Sequence, residues 1–419
     1  MPQATIARTA APLAPIALAT LLATALTPAF AETDPYYFGI SQSLGHNSNL
    51  YRLANNEIPD KFATTSINLG FDQLIGRQRL FANASARATR YEDIKVLDNT
   101  GYGLSAGLDW STIERLSGHL GVALNKSLAD YAVSGNQVAL TRKNLETSGQ
   151  VNFRAQIGVV TALSLNTSLS HSQISYSAPE YQLQEVRQNA GSIGITYRPS
   201  GLLTLGSALR VTQGEYANIV RPNGDKETFD RKDLDLTATW LASGLSTLNA
   251  RLSFGRSAYE TQTQRNFKGA TGSLGWAWRP TGKLTFNTNL SRDSGTESSF
   301  VALASNQGTA VGDNSVLTHA LALNAGYEAT AKIQVNLGAR YARRQLVNDQ
   351  IVGGVVQVST EGSDSVSSVT LGATYAASRA WQLGCNAGHD SGKPSSTSSG
   401  VSSKYSVTTA SCNVQFTIR

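Results

Sequence analysis

The sequence predicts an all-β chain folded as a transmembrane antiparallel β-barrel of about eighteen strands in a bacterial outer membrane. Three observations carry this. Apolar residues alternate with Asn, Gln, Ser, Thr and Gly along most of the chain, so each strand has one greasy and one wet face. Only 15% of the residues are charged, against about 25% in ordinary soluble domains, so much of the surface faces something other than water. The segments between strands are alternately short and long, the asymmetry of periplasmic turns and extracellular loops.

Residues 1–31 read as a signal peptide. Arg8 supplies a positive start, Ala11 to Leu26 an apolar stretch, and Ala29-Phe30-Ala31 a small-residue cleavage site. The mature chain expected from this is one barrel over residues 32–419, since no linker or change of composition divides it. No later run of about 18 apolar residues offers a transmembrane helix. The formal net charge of +6 is modest for 419 residues, and no basic run with interleaved aromatics points to nucleic acid.

The short connections fall at Gly76-Arg77, Ile113–Arg115, Gly158–Val160, Pro199–Gly201, Ser243-Gly244, Pro280–Lys283, Thr330–Lys332 and Ser378-Arg379. Tyr197-Arg198-Pro199-Ser200-Gly201 and Trp278-Arg279-Pro280-Thr281-Gly282 are near copies, in which a proline without an N–H ends strand pairing. Longer polar stretches lie between them, among them Gly45–Phe62, Glu92–Thr100, Glu215–Phe229 and Gln345–Ser363. A hairpin period of roughly forty-odd residues also suits propeller blades, but these strands are too long and no blade signature recurs.

Alternation assigns the faces. Leu80, Ala82, Ala84, Ala86 and Ala88 point to lipid while Asn83, Ser85, Arg87 and Thr89 point inward. Leu248, Ala250, Leu252 and Phe254 oppose Asn249, Arg251 and Ser253 in the same way. A wall of small polar and charged side chains is not a packed core, and at this strand number it encloses water.

Gly45-His46-Asn47-Ser48-Asn49-Leu50-Tyr51-Arg52, Arg90-Tyr91-Glu92-Asp93 and Leu97-Asp98-Asn99-Thr100-Gly101-Tyr102 resemble the EpsL-type outer-membrane barrels of exopolysaccharide operons. The first stretch is similar to that family's Asp-Asn-Leu-Phe-Arg segment, with Ser48 in place of the acid and Tyr51 in place of Phe. The terminal strand through Cys412, Val414, Phe416 and Thr417 shares the likeness. The resemblance implies export or assembly of an extracellular polysaccharide, with outer-membrane lipid around the barrel and periplasmic export-complex proteins as partners. A diffusion porin for small solutes and a plugged structural barrel are the alternatives. The resemblance supplies no catalytic residues.

Arg87, Arg210, Arg251 and Arg340 fall on inward positions of strands that climb from a periplasmic turn. They predict a partial ring of guanidinium groups able to guide an anion or an acidic glycan. Asp72, Asp109, Asp233 and Asp235 are the expected counter-charges. Tyr131, Tyr176, Tyr181, Tyr216 and Tyr259 sit where strands pass into long loops, as interfacial girdle residues or as platforms for sugar rings. Ser170-His171-Ser172 tops a strand, but neighbours on a strand point to opposite faces, so the imidazole cannot meet either hydroxyl. No metal or nucleophile motif occurs, so the sequence predicts neither an enzyme nor a bound cofactor or metal. Cys385 and Cys412 are the chain's two cysteines and share the apolar parity of the last hairpin, which predicts a cross-strand disulfide in an oxidising compartment.

Overall fold

The structure, a computed structural model, describes residues 35–112, 115–129, 131, 142–158, 162–221, 223–295, 315–352, 355–395 and 402–419. The predicted signal peptide lies outside them. Among the described residues the chain forms β1 (Tyr36–Asn47), β2 (Asp60–Ile75), β3 (Gln78–Tyr91), β4 (Asn99–Ser111), β5 (Leu116–Leu128), β6 (Leu145–Ile157), β7 (Leu163–Tyr176), β8 (Val186–Tyr197) and β9 (Leu203–Val220). It continues with β10 (Lys226–Ser243), β11 (Ser246–Tyr259), β12 (Phe267–Trp278), β13 (Leu284–Ser294), β14 (Ser315–Thr330), β15 (Ile333–Val352), β16 (Val355–Ala376), β17 (Trp381–Pro394) and β18 (Tyr405–Ile418). Every strand pairs antiparallel with its neighbours in sequence, and β1 pairs with β18 from Phe38↔Ile418 to Asn47↔Thr409. The 18-stranded sheet therefore closes on itself, as the alternation predicts, and satisfies its ladder without an edge.

The strands tilt, and one row of register partners displays it. Phe38 near the short-turn end of β1 is followed by Leu69, Ala84, Leu104, Leu124, Gly149, Gln173 and Arg187, ending at Glu215 near the far end of β9. All nine positions share the outward parity, yet the row passes from apolar to charged. A row perpendicular to tilted strands climbs the wall, so it leaves the hydrocarbon partway round.

Outward side chains stay exposed although they are apolar: Leu69 is 50% exposed, Leu209 62% and Leu290 54%. That is a lipid-facing band rather than a failed core, and it places the barrel in the bacterial outer membrane. The chain's five tryptophans, Trp110, Trp240, Trp276, Trp278 and Trp381, have outward parity and lie toward the short-turn ends of their strands. Trp276 stacks on Trp278, and Trp381 meets Phe416 with ring centroids 4.9 Å apart. Amphipathic rings favour that interfacial depth.

Two stretches expected to be loops are mostly strand. β9 reaches Val220 and β10 resumes at Lys226, within the span Glu215–Phe229. β15 and β16, at 20 and 22 residues, run through most of Gln345–Ser363. A span needs about 9–11 residues, so these ladders project beyond the membrane. There pairing continues without the strict apolar alternation that advertises a strand: Leu346 and Val347 are consecutive apolar residues, and Ser359-Thr360-Glu361-Gly362-Ser363 has none.

Candidate functional site

The lumen wall from β1 to β6 holds a recess of about 580 Å³. Asn68, Asn83, Ser85, Arg87, Ser105, Asn125 and Gln150 line it, with Tyr37 and Ser148, and Arg87 is the one ionised side chain among its described lining residues. The Arg87 Nη2 donates to the Asn125 side-chain oxygen at 2.9 Å, and the Tyr37 hydroxyl donates to Asn83 at 2.9 Å. Opposite Arg87 on β4 stands Gly101, where a Cβ would lie 2.5 Å from the Lys126 carbonyl and 3.0 Å from the Arg87 Nε. Glycine there lets the guanidinium lie along the wall. The recess thus presents one cation, bonded to a neutral amide, in a field of amides and hydroxyls.

The wall from β9 to β13 is different. Arg231 binds Asp233 through Nε at 2.8 and 3.0 Å and through Nη2 at 2.7 Å, with side-chain exposures of 1% and 0%. Arg210 reaches Asp233 at 3.2 Å and Asp235 at 2.9 Å, Ser253 donates to Asp235 at 2.5 Å, and Arg251 binds Asp293 at 3.0 Å. Arg231 also donates to the Ser294 hydroxyl and lies 5.6 Å from the centre of the Phe267 ring. Among the described residues three arginines meet three aspartates, so their formal charges cancel, and the network is driest at Arg231 and Asp233.

The four arginines singled out in the sequence are therefore not an equivalent ring. Arg210 and Arg251 are spent on acids. Arg87 lies across the barrel on β3, and Arg340 is exposed to the lumen on β15 with no ionic partner among the described residues. Of the expected counter-charges, Asp233 and Asp235 serve Arg210, whereas Asp72 binds Arg79 at 2.5 Å near the short-turn end. Asp109 also faces Arg79, at 3.9 Å, and its nearest described partner is His119 at 2.6 Å. Arg231 escaped the sequence reading, although the Arg231-x-Asp233-x-Asp235 spacing puts all three on one strand face.

The five tyrosines correct their expected roles. Tyr131, Tyr176, Tyr181 and Tyr259 are no more than 9% exposed, and Tyr216 packs half-buried against the last of them. Tyr176 and Tyr181 pack with Ala129, Ile174 and Ala178. Tyr131 packs with Tyr51, Tyr91 and Leu97, and Tyr216 and Tyr259 with Phe229 and Val186. Tyr176, Tyr216 and Tyr259 have the inward parity of their strands, so they leave lipid entirely, and their rings are covered by one another and by folded loops. Those loops are pinned by strand ends: Asp60 accepts from the Asp93 and Ile94 amides, and Glu227 from those of Thr261 and Gln262. Burial pushes the Tyr51 hydroxyl above its ordinary pKa, aided by the nearby Asp60 charge. Tyr131 is driven the same way, chiefly by burial.

Cys385 and Cys412 are register partners on β17 and β18 and are joined by a disulfide, with Cα atoms 4.0 Å apart. His171 points outward, where it bonds Asn189 at 2.8 Å, and Ser170 and Ser172 point inward. Among the described residues no three His, Cys, Asp or Glu side chains are placed to hold a metal ion.

No family model and no curated protein matches the chain. Among solved structures it is similar to OpdO of Pseudomonas aeruginosa, with 14% identity over 92% of this chain and 97% of that one and a TM-score of 0.49. OpdK of Pseudomonas aeruginosa, an outer membrane protein, matches with 11% identity over 91% and 99% and a TM-score of 0.47. OpdQ of the same organism matches with 10% identity over 91% and 98% and a TM-score of 0.47. What the chain's own geometry establishes is a closed 18-stranded outer-membrane β-barrel.

Proposed function

We propose that this barrel is a passive channel for small polar solutes and that it favours those bearing one anionic group. The observation that carries this is the recess around Arg87: a lumen-facing guanidinium whose described hydrogen-bond partner is a neutral amide, surrounded by Asn, Gln and Ser side chains. A guanidinium pairs with a carboxylate or phosphate in two-point fashion, and neighbouring amides exchange hydrogen bonds with hydroxyl groups. Such a wall suits a hydroxylated small acid. Arg340 adds a further cation to the lumen field on another side of the barrel.

The test is conductance and solute flux through the reconstituted barrel. Arg87→Gln and Arg340→Gln together should lower the preference for anions by about fivefold at low salt, the equivalent of ~1 kcal/mol for a charge pair in water. The effect should shrink at high salt, where the field is screened. Unchanged selectivity sinks the proposal.

Polysaccharide export, implied by the family resemblance, draws on the same amides and hydroxyls, which also suit a glycan chain. Against it, the mouth tyrosines Tyr131, Tyr176, Tyr181 and Tyr259 are buried and Tyr216 half-buried, so these five offer a sugar ring no open face. A deletion strain separates the readings: lost polymer with unchanged solute uptake supports export and a periplasmic export complex, and the reverse supports the solute channel.

A further inference from the structure

On six consecutive strands, β10 to β15, the outward apolar stripe ends in a basic residue: Lys232, Arg256, Lys268, Arg292, His319 and Arg343. All six are exposed. Lys232 is the register partner of Arg256, and Arg256 of Lys268. Likewise Arg292 is the partner of His319, and His319 of Arg343. The next outward row toward the membrane is apolar in both groups, Leu234–Phe254–Ala270 in the first and Leu290–Leu321–Tyr341 in the second. The belt therefore begins one pleat, about 7 Å, beyond the last hydrocarbon-facing side chains at the long-loop end.

Such an arrangement is unfavourable by itself. Like charges directly across a ladder repel, and three cations occupy one row at Lys232, Arg256 and Lys268. None of the six has an ionic partner among the described residues. Asp230 is an outward acid nearby, one outward row from Lys232 toward the loop end, and among the described residues it makes no ion pair with the belt. At this depth the neighbours are lipid headgroups of the outer leaflet.

We propose that the β10–β15 belt is a binding site for the phosphate-bearing headgroup of an outer-leaflet glycolipid. Phosphate oxygens bridge adjacent basic side chains, such as Lys232, Arg256 and Lys268, since residues paired on neighbouring strands stand about 5 Å apart at the backbone. The acyl chains of the same lipid lie on the apolar rows beneath, so one molecule satisfies both surfaces. The site is on the outer wall and is independent of the channel lumen.

The test uses the full folded barrel in mixed micelles with a phosphorylated glycolipid, counting bound lipid by native mass spectrometry. The variant Arg256→Gln/Arg292→Gln/Arg343→Gln should retain less lipid, by about fivefold for each cation removed from the contact. The lumen variant Arg340→Gln should retain as much as the parent. Enzymatically dephosphorylated glycolipid should bind the parent as weakly as the intact lipid binds the triple variant. Equal retention by the triple variant, or equal binding of the dephosphorylated lipid, overturns the proposal. Should the triple variant lose its heat-dependent gel shift, and so its fold, Arg292→Gln alone is read against the same two outcomes.

Discussion

Arg231 and Asp233 stand two residues apart on β10, face the lumen together and bond at 2.7 Å with side-chain exposures of 1% and 0%. Removing one partner leaves the other charge buried and uncompensated, which costs about 3–5 kcal/mol. Asp233→Asn should therefore lower the temperature at which the barrel's gel mobility shifts, and it should also loosen Arg210, which shares that carboxylate. Arg231→Met with Asp233→Leu removes both charges and should recover much of the loss. A single variant as heat-stable as the parent would show that water reaches the pair.

The buried mouth tyrosines predict an alkaline transition. Tyr51 and Tyr131 have folded pKa values above the ordinary 10.0, so folding favours their neutral forms. That contribution is fully present below pH 10 and is lost as pH climbs from there through the folded values. Absorbance near the phenolate band should thus rise late for these two residues, and opening of the mouth should accompany it. Tyr51→Phe and Tyr131→Phe should remove the late component; a titration complete near pH 10 in the parent would contradict their burial.

Gly214 on β9 lies opposite Phe229, and any Cβ placed there would collide with the ring. Gly214→Val should displace Phe229 from Tyr216 and Tyr259, whose centroids lie 6.1 and 5.1 Å away. We expect a loss of about 1–3 kcal/mol from overpacking, seen as easier proteolysis of the loop between β11 and β12. Protease resistance equal to the parent's would mean that the ring has room to move.

Peptide mapping without reduction should recover Cys385 linked to Cys412. The bond closes a 27-residue separation, so Cys385→Ser/Cys412→Ser should cost about 2–4 kcal/mol. Full alkylation of both thiols in denatured, unreduced protein would contradict it.

The barrel was legible in the sequence because lipid and water on opposite faces write a two-residue period. Leu80 through Ala88 illustrate that period, and the same parity paired Cys385 with Cys412. Legibility ended where that contrast ends. Above the membrane, β15 and β16 pair through a stretch whose apolar residues, such as Leu346-Val347 and Val355-Val356, run together rather than alternate. Inside the lumen, parity shows that Arg210 and Arg251 point inward, but not which acids on neighbouring strands reach them. Register decides that, by setting Arg210 opposite Asp233. The tyrosines were misjudged because an aromatic at a strand end reads alike whether a loop folds over it or lipid surrounds it.

The closure of β1 on β18 has a consequence for how the barrel assembles. Every other ladder joins strands adjacent in sequence, so hairpins can zip locally and at little entropic cost. The pairing of Phe38 with Ile418 brings together residues from opposite ends of the chain, and its loop-closure cost is met only once the rest of the wall exists. Until then β1 and β18 are the two open edges of a growing sheet. The seam is thus the last contact to form and the first through which the wall can part, and the cystine between β17 and β18 lies one strand from it.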